Sequence, residues 1–211
     1  MLAAMDEARK VREFWFGKGP LTPEQLGKRM QIWFGGAADS QDLQQHVDDA
    51  IRTRFEPLIA QAASGALASW ADGPRRLLSL ILLLDQFPRN IYRGTPRAFA
   101  YDAQALGLVL SGMQSGADAA LNPAERMFFY MPLQHSEARE VQDESVAAYR
   151  RLVLEAPQAL QDIFRSSLDF AERHRAVIQR FGRFPHRNLV LGRPSTAEEE
   201  AYLREGGEDF G

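Results

Sequence analysis

Pro74-Arg75-Arg76-Leu77-Leu78-Ser79-Leu80-Ile81-Leu82-Leu83-Leu84-Asp85-Gln86-Phe87-Pro88 is the stretch that decides how this chain folds. Residues 77–84 are apolar except for Ser79. At 100° per residue the leucines and isoleucine cover the whole circumference, so a helix over 75–87 must be surrounded by protein on every side. The run is far shorter than the ~20 residues that cross a bilayer. It predicts the central helix of an α-helical core, opened by Asp72-Gly73-Pro74 and ended by Pro88, with a loop over 89–96.

Working outward, the same class of element recurs. A helix is expected over 3–16, closed by Gly17, which accepts positive φ at little cost. Thr22-Pro23-Glu24-Gln25 combines an N-cap, a proline at the first helical position and a capping-box glutamine. The next helix runs to about Trp33-Phe34 and stops at Gly35-Gly36. Ser40 can cap a further helix whose Leu43, Val47, Ile51 and Phe55 form one stripe. Pro57 is expected to bend or restart it. Beyond the central helix, Phe99, Leu106, Leu108 and Leu110 mark a helix closed by Gly112 and Gly116. Asn122-Pro123-Ala124-Glu125 is a second capping box, opening a short aromatic helix that Pro132 breaks. Ser136 can cap a helix through Leu152, Pro157 opens a long one to Phe181, and Ser195-Thr196-Ala197-Glu198 caps the last, ending near Arg204. Alanine (29) and leucine (24) outnumber valine, isoleucine and threonine together (19), and no period-2 strand is evident, so the class is all-α. One domain is expected over 1–205, with a flexible tail over 206–211.

Composition narrows the chemistry. The 211 residues are 45% hydrophobic and 25% charged, with a net charge of −3, which favours neither nucleic acid nor an anionic membrane as partner. With no cysteine, disulfides, thiolate nucleophiles, cysteine zinc sites and iron–sulfur clusters are excluded. The first residues carry acids and lack an apolar signal core, so a cytoplasmic location is expected.

Chemistry-bearing residues gather in three places. Phe87-Pro88-Arg89-Asn90 follows the central helix, and its echo Phe181-Gly182-Arg183-Phe184-Pro185-His186-Arg187-Asn188 follows the long one. Asp85 lies in the last turn of the central helix, where the dipole disfavours it by ~0.3–1 kcal/mol, so an arginine partner is expected among Arg89, Arg183 and Arg187. His174 falls on the apolar face of the long helix with Leu160, Phe164, Ala171, Ile178 and Phe181, which requires a hydrogen-bond partner whether it is structural or catalytic. His135-Ser136-Glu137 places an imidazole and a carboxylate near a helix start. The arginines Arg89, Arg93 and Arg97, and Arg183, Arg187 and Arg193, could line a cationic pocket or simply cap helix ends. No His-Glu-x-x-His spacing, Gly-x-Ser-x-Gly elbow, phosphate loop or dinucleotide fingerprint is present, so no metal and no cofactor is expected.

Taken together, four blocks carry a family resemblance. Phe14-Trp15-Phe16-Gly17, Leu83-Leu84-Asp85-Gln86-Phe87-Pro88-Arg89-Asn90, Tyr130-Met131-Pro132-Leu133-Gln134-His135-Ser136-Glu137 and the 181–188 stretch resemble an uncharacterised bacterial family, domain of unknown function nine-two-four. The match continues through Leu191-Gly192-Arg193-Pro194-Ser195-Thr196 and spans about 14–203, with no departure at the motif positions and a variable position at Gln134. The resemblance implies antiparallel helical hairpins in a tetratricopeptide-repeat-like α-α superhelix, and it transfers no activity. It implies that the blocks holding Asp85, Arg89, Asn90, His135, Glu137, His174, Arg183, His186, Arg187 and Asn188 are family features.

Three functions fit these residues. A helical ligand-binding protein would hold an anionic small molecule or peptide carboxylate through Arg89, Arg183 and Arg187, with Asp85 orienting an arginine, Asn90 and Asn188 fixing loops, and His174 nearby. A hydrolase would use His135 or His186 with Glu137 or Asp85. A protein-interaction module would present a concave helical surface. The same polar residues read also as staples between helix ends, with no ligand at all.

Overall fold

The computed structural model describes residues 2–19, 21–34 and 40–210. Among them every regular element is helical. Gly35-Gly36, expected as a helix stop, lies outside the described residues, as does the side chain of Ser40. The contacts divide the chain into two compact units, Met1–Arg93 with Arg97–Phe129, and Gly94–Pro96 with Tyr130–Gly211.

Unit one contains α1 (Leu2–Phe16), α2 (Pro23–Phe34), α3 (Ser40–Ala63), α4 (Pro74–Leu84), α5 (Gln86–Ile91), α6 (Asp102–Gln114) and α7 (Pro123–Phe129). Its centre is α4, which packs against α1, α3, α6 and α7. Every residue of 77–84 is buried, as the all-round apolar pattern requires. Each such leucine contributes about 1.5–3 kcal/mol by leaving water. Ser79, the polar interruption, donates its hydroxyl to the Ala8 carbonyl of α1 at 2.7 Å. Gly112 is needed for close approach rather than for a turn: a Cβ there would stand 2.7 Å from Phe129 and 2.8 Å from Leu77. The expectation that Gly112 closes its helix is therefore corrected, since α6 runs on to Gln114.

Both sequence-legible capping boxes form. Thr22 and Gln25 exchange bonds of 2.9 and 3.3 Å, and Asn122 and Glu125 exchange bonds of 3.1 and 3.0 Å. The proline expectations are corrected in part. α3 is a single helix through Pro57, so Pro57 does not restart it. Pro132 does not break the aromatic helix, which already ends at Phe129, and lies inside the next one, Met131–Gln134. Pro88 does not end a helix: α4 stops at Leu84, and α5 carries Pro88 at its third position and continues through Arg89 to Ile91. In a first turn the backbone N–H has no intrahelical acceptor, so proline costs nothing there.

Unit two contains α8 (Met131–Gln134), α9 (Arg139–Glu155), α10 (Gln161–Phe181) and α11 (Ala197–Arg204). α9 and α10 form a helical hairpin joined by a short connection that includes a 3-10 turn at Gln158–Leu160. The buried face of α10 is Phe164, Ser167, Ala171, His174, Val177 and Ile178. Gly182 ends α10 with φ of 70°, a left-handed C-cap. Two capping expectations shift. Ser136 does not cap α9, whose N-cap is Ala138. α11 is capped by Thr196 with Glu199, one residue later than the Ser195–Glu198 reading.

Residues 206–210, expected as a flexible tail, lie along α10. Arg173 grips Glu208 with bonds of 3.0 and 2.8 Å, and the Phe210 ring stacks on His174 at 3.6 Å between centroids.

Candidate functional site

In unit one Asp85 is fully buried at the end of α4. Its Oδ1 lies 3.2 Å from Arg89 Nη1, and its Oδ2 accepts from Gln86 Nε2 at 2.6 Å. Arg89 also donates twice to Asp102, at 2.8 Å each, a bidentate fork. Burial alone would lower the guanidinium's pKa; Asp85 and Asp102 outweigh it and raise it. Asn90 donates to Asp48 at 2.7 Å, and Arg93 and Gln44 reach the same carboxylate at 3.3 and 3.0 Å. Thus Asp85, Arg89 and Asn90 come together, with the acids Asp48 and Asp102 joining them.

In unit two the residues of the long-helix terminus form one connected network. Arg193 donates to both oxygens of Glu137, at 2.7 and 3.0 Å, to the Phe184 carbonyl at 3.1 Å and to Asn188 Oδ1 at 3.0 Å. Glu137 also accepts from the Phe184 N–H at 2.8 Å. Burial would raise the Glu137 carboxyl; Arg193 and that backbone N–H prevail and hold it below the usual carboxylate range. Arg183 closes bidentately on Glu199, at 2.6 and 2.7 Å, and this fork, aided by the Thr196 N–H, brings the Glu199 carboxyl down to about 2. Asn188 links the two ion pairs, donating to Glu199 at 3.3 Å and to Ser195 at 3.1 Å.

The three histidines of unit two surround this network. His174 Nδ1 lies 2.7 Å from the Phe170 carbonyl one turn back, which supplies the hydrogen-bond partner a buried imidazole needs. Burial pushes His174 down to about 3, against the Phe170 hydrogen bond and with help from nearby Arg187. His135 lies 6.4 Å from His174 between ring centroids, and Arg187 donates to the His135 carbonyl at 3.0 Å while its guanidinium sits 4.4 Å over the Phe184 ring. His186 packs against Phe184 and Phe210, its Nδ1 buried and without a hydrogen bond. Burial and then Arg187 bring it down to about 4.

Several of these partners escaped the sequence reading. Glu199 had a readable signal, since Thr196-x-x-Glu199 is a capping-box spacing. Asp48 shares a helix face with Ile51 and Phe55, and an acid inside an apolar stripe demands a partner. Asp102 had no local signal, because its partner lies 13 residues away.

Among curated proteins none matches the chain. The structure is similar to that of a protein of unknown function, ATU0120 from Agrobacterium tumefaciens, with a TM-score of 0.76, 34% identity, 98% of this chain covered and 100% of that one. A family described as bacterial protein of unknown function (DUF924) matches residues 11–207. With that match running from α1 to beyond α11 and through both Phe-Pro networks, the chain belongs to the DUF924 family.

Proposed function

We propose that the chain is a helical binding protein for an anionic small molecule or a peptide carboxylate, rather than a hydrolase. One observation carries this reading: both oxygens of Glu137 are engaged by Arg193, and one of them also by the Phe184 N–H. A hydrolytic dyad needs a carboxylate turned to an imidazole, and a base whose pKa lies near the working pH. His174 and His186, lowered to about 3 and about 4, are poorly matched to general-base work near neutrality. Arg89 and Arg183 are already closed on Asp102 and Glu199, so they serve to fix local structure. An external anion would be taken by arginines not held in this way. A tetratricopeptide-repeat-like arrangement of hairpins suits such a role, and the cysteine-free composition supports a cytoplasmic setting.

The test pairs two assays on the whole chain. Carboxylates and peptides are screened for an upward shift in melting temperature, and ester, amide and phosphate substrates are screened for turnover. Stabilisation by carboxylates without turnover is expected. Turnover abolished by His135→Gln or His186→Gln would overturn the reading.

A further inference from the structure

Unit one contains a groove lined by Arg97 of the first arginine cluster together with residues outside the motif blocks. Its volume is about 410 Å³, within the range of small-ligand sites. Arg52, Thr53, Glu56 and Pro57 line one side, and Tyr92, Arg97 and Tyr101 the other.

The polar groups here are organised but not saturated. Arg97 lies over the Tyr92 ring, 3.8 Å from guanidinium carbon to ring centroid, and donates through Nη2 to the Tyr92 hydroxyl at 2.8 Å. That hydroxyl donates in turn to Glu56 Oε1 at 2.7 Å. Burial and then Glu56 push the Tyr92 phenol up to about 12, so it remains a neutral donor. The Nε and Nη1 groups of Arg97 make no hydrogen bond among the described residues. Arg52 donates through Nη2 to the Ile91 carbonyl at 2.6 Å, while its Nη1 stands 4.0 Å from Asp49, beyond hydrogen-bond reach. Two guanidinium groups are thus oriented by one bond each, with donors to spare. This contrasts with Arg89, Arg183 and Arg193, each of which grips a carboxylate bidentately.

The groove also carries acceptors. Pro57 has no N–H, so it cannot satisfy the Thr53 carbonyl one turn earlier in α3. Glu56 engages only one of its two oxygens with Tyr92. Cations beside a carboxylate engaged through one oxygen and a carbonyl that Pro57 cannot serve, with Pro57 and Tyr101 as apolar walls, match a carboxylate that has an N–H close by and an apolar body.

We infer that this groove binds an amino-acid-type carboxylate, through Arg52 and Arg97 on the carboxylate and Glu56 and the Thr53 carbonyl on the neighbouring N–H. The inference rests on the binding reading above and gives it a location and a ligand class. The chemistry is shared by a free acylated amino acid and by the C-terminus of a peptide.

The test is calorimetric titration of the full chain with N-acetylphenylalanine, with its carboxamide, and with a tetrapeptide acid ending in phenylalanine. Saturable binding of the acids and none of the carboxamide is expected. Arg97→Gln and Arg52→Gln, both exposed and so not needed for folding, should each weaken the acids roughly ten- to a hundred-fold, as loss of a charged hydrogen bond does. A tetrapeptide that binds more tightly than the acylated amino acid supports the site as one for peptide termini; equal binding supports it as one for the small acid. Acid binding that survives unchanged in Arg97→Gln overturns the groove and leaves the binding reading standing. Absence of binding by any carboxylate overturns both, and equal binding of acid and carboxamide overturns the role of the two arginines.

Discussion

Phe87-Pro88-Arg89-Asn90 and Phe184-Pro185-His186-Arg187-Asn188 are nearly the same words, yet the two units use them differently. In unit one the proline is absorbed into the first turn of α5, the chain stays helical, and Arg89 meets Asp85 one turn back on the same stretch. In unit two Gly182 has already broken α10, and Pro185 opens a 3-10 turn. The cations there find acids far along the chain: Arg193 meets Glu137 across 56 residues and Arg183 meets Glu199 across 16. In unit one an aspartate at the helix end gives the arginine one partner a turn away, and Asp102 and Asp48 reach Arg89 and Asn90 from farther along the chain. In unit two a left-handed glycine turns the chain away, and the carboxylates that Arg183 and Arg193 meet are all distant in sequence.

This contrast can be broken at either end. The largest effect is expected for Asp85→Ala, because it removes a fully buried carboxylate beside Arg89. Loss of one member of a buried pair costs about 3–5 kcal/mol. All three tryptophans, Trp15, Trp33 and Trp70, lie in unit one, so urea unfolding followed by tryptophan fluorescence reads the change directly. A wild-type midpoint would mean that Arg89 and Asp102 suffice without it. Arg193→Ala should cost less, about 2–3 kcal/mol, since charged hydrogen bonds are lost from a pair 25% and 31% exposed. Amide exchange in α9 and α10 is the readout, and unchanged protection there would show that Glu137 holds Phe184 unaided.

A third effect, absent near neutrality and growing as pH falls, is a pH dependence in unit two. His174 has its folded value lowered from the ordinary 6.5 to about 3, so the unfolded chain takes the proton first. Its contribution is therefore complete above about pH 6.5 and declines as pH falls toward 3. The slope is at most about 1.4 kcal/mol per pH unit for one proton. His174→Phe, which keeps a ring against Phe210, should flatten the dependence of unit-two amide exchange between pH 6.5 and 4. A slope identical to wild type would assign the effect to His186 or to carboxylates.

The fold was legible where local chemistry speaks for itself. The all-round apolar run over 77–84 and the boxes at Thr22 and Asn122 needed no knowledge of the rest of the chain. Pro57 and Pro88 misled, because a proline's effect depends on its place within a helix, and that place depends on where the helix begins. The candidate sites were legible as residue types but not as partners. Asp85 demanded a cation, and Arg89 was one of three arginines considered for it; Asp102, the second acid on Arg89, gave no sign. Arg97 was legible as a candidate for a cationic pocket, but Arg52 and the groove they share were not, since the groove exists only once α3 lies beside Tyr92, Arg97 and Tyr101.

Ser79 bears on a different matter, the information content of a greasy helix. A helix of leucines on every side can rotate or slide among neighbours with little change in buried area, so burial drives it inward without telling it where to stop. One hydroxyl bonded to the Ala8 carbonyl restricts that freedom, because any other rotation gives up the 2.7 Å bond to α1 and leaves only the 3.1 Å bond to the Arg75 carbonyl of the same helix. The one polar residue of the buried 77–84 run thus serves as its address, and the seven around it supply the adhesion.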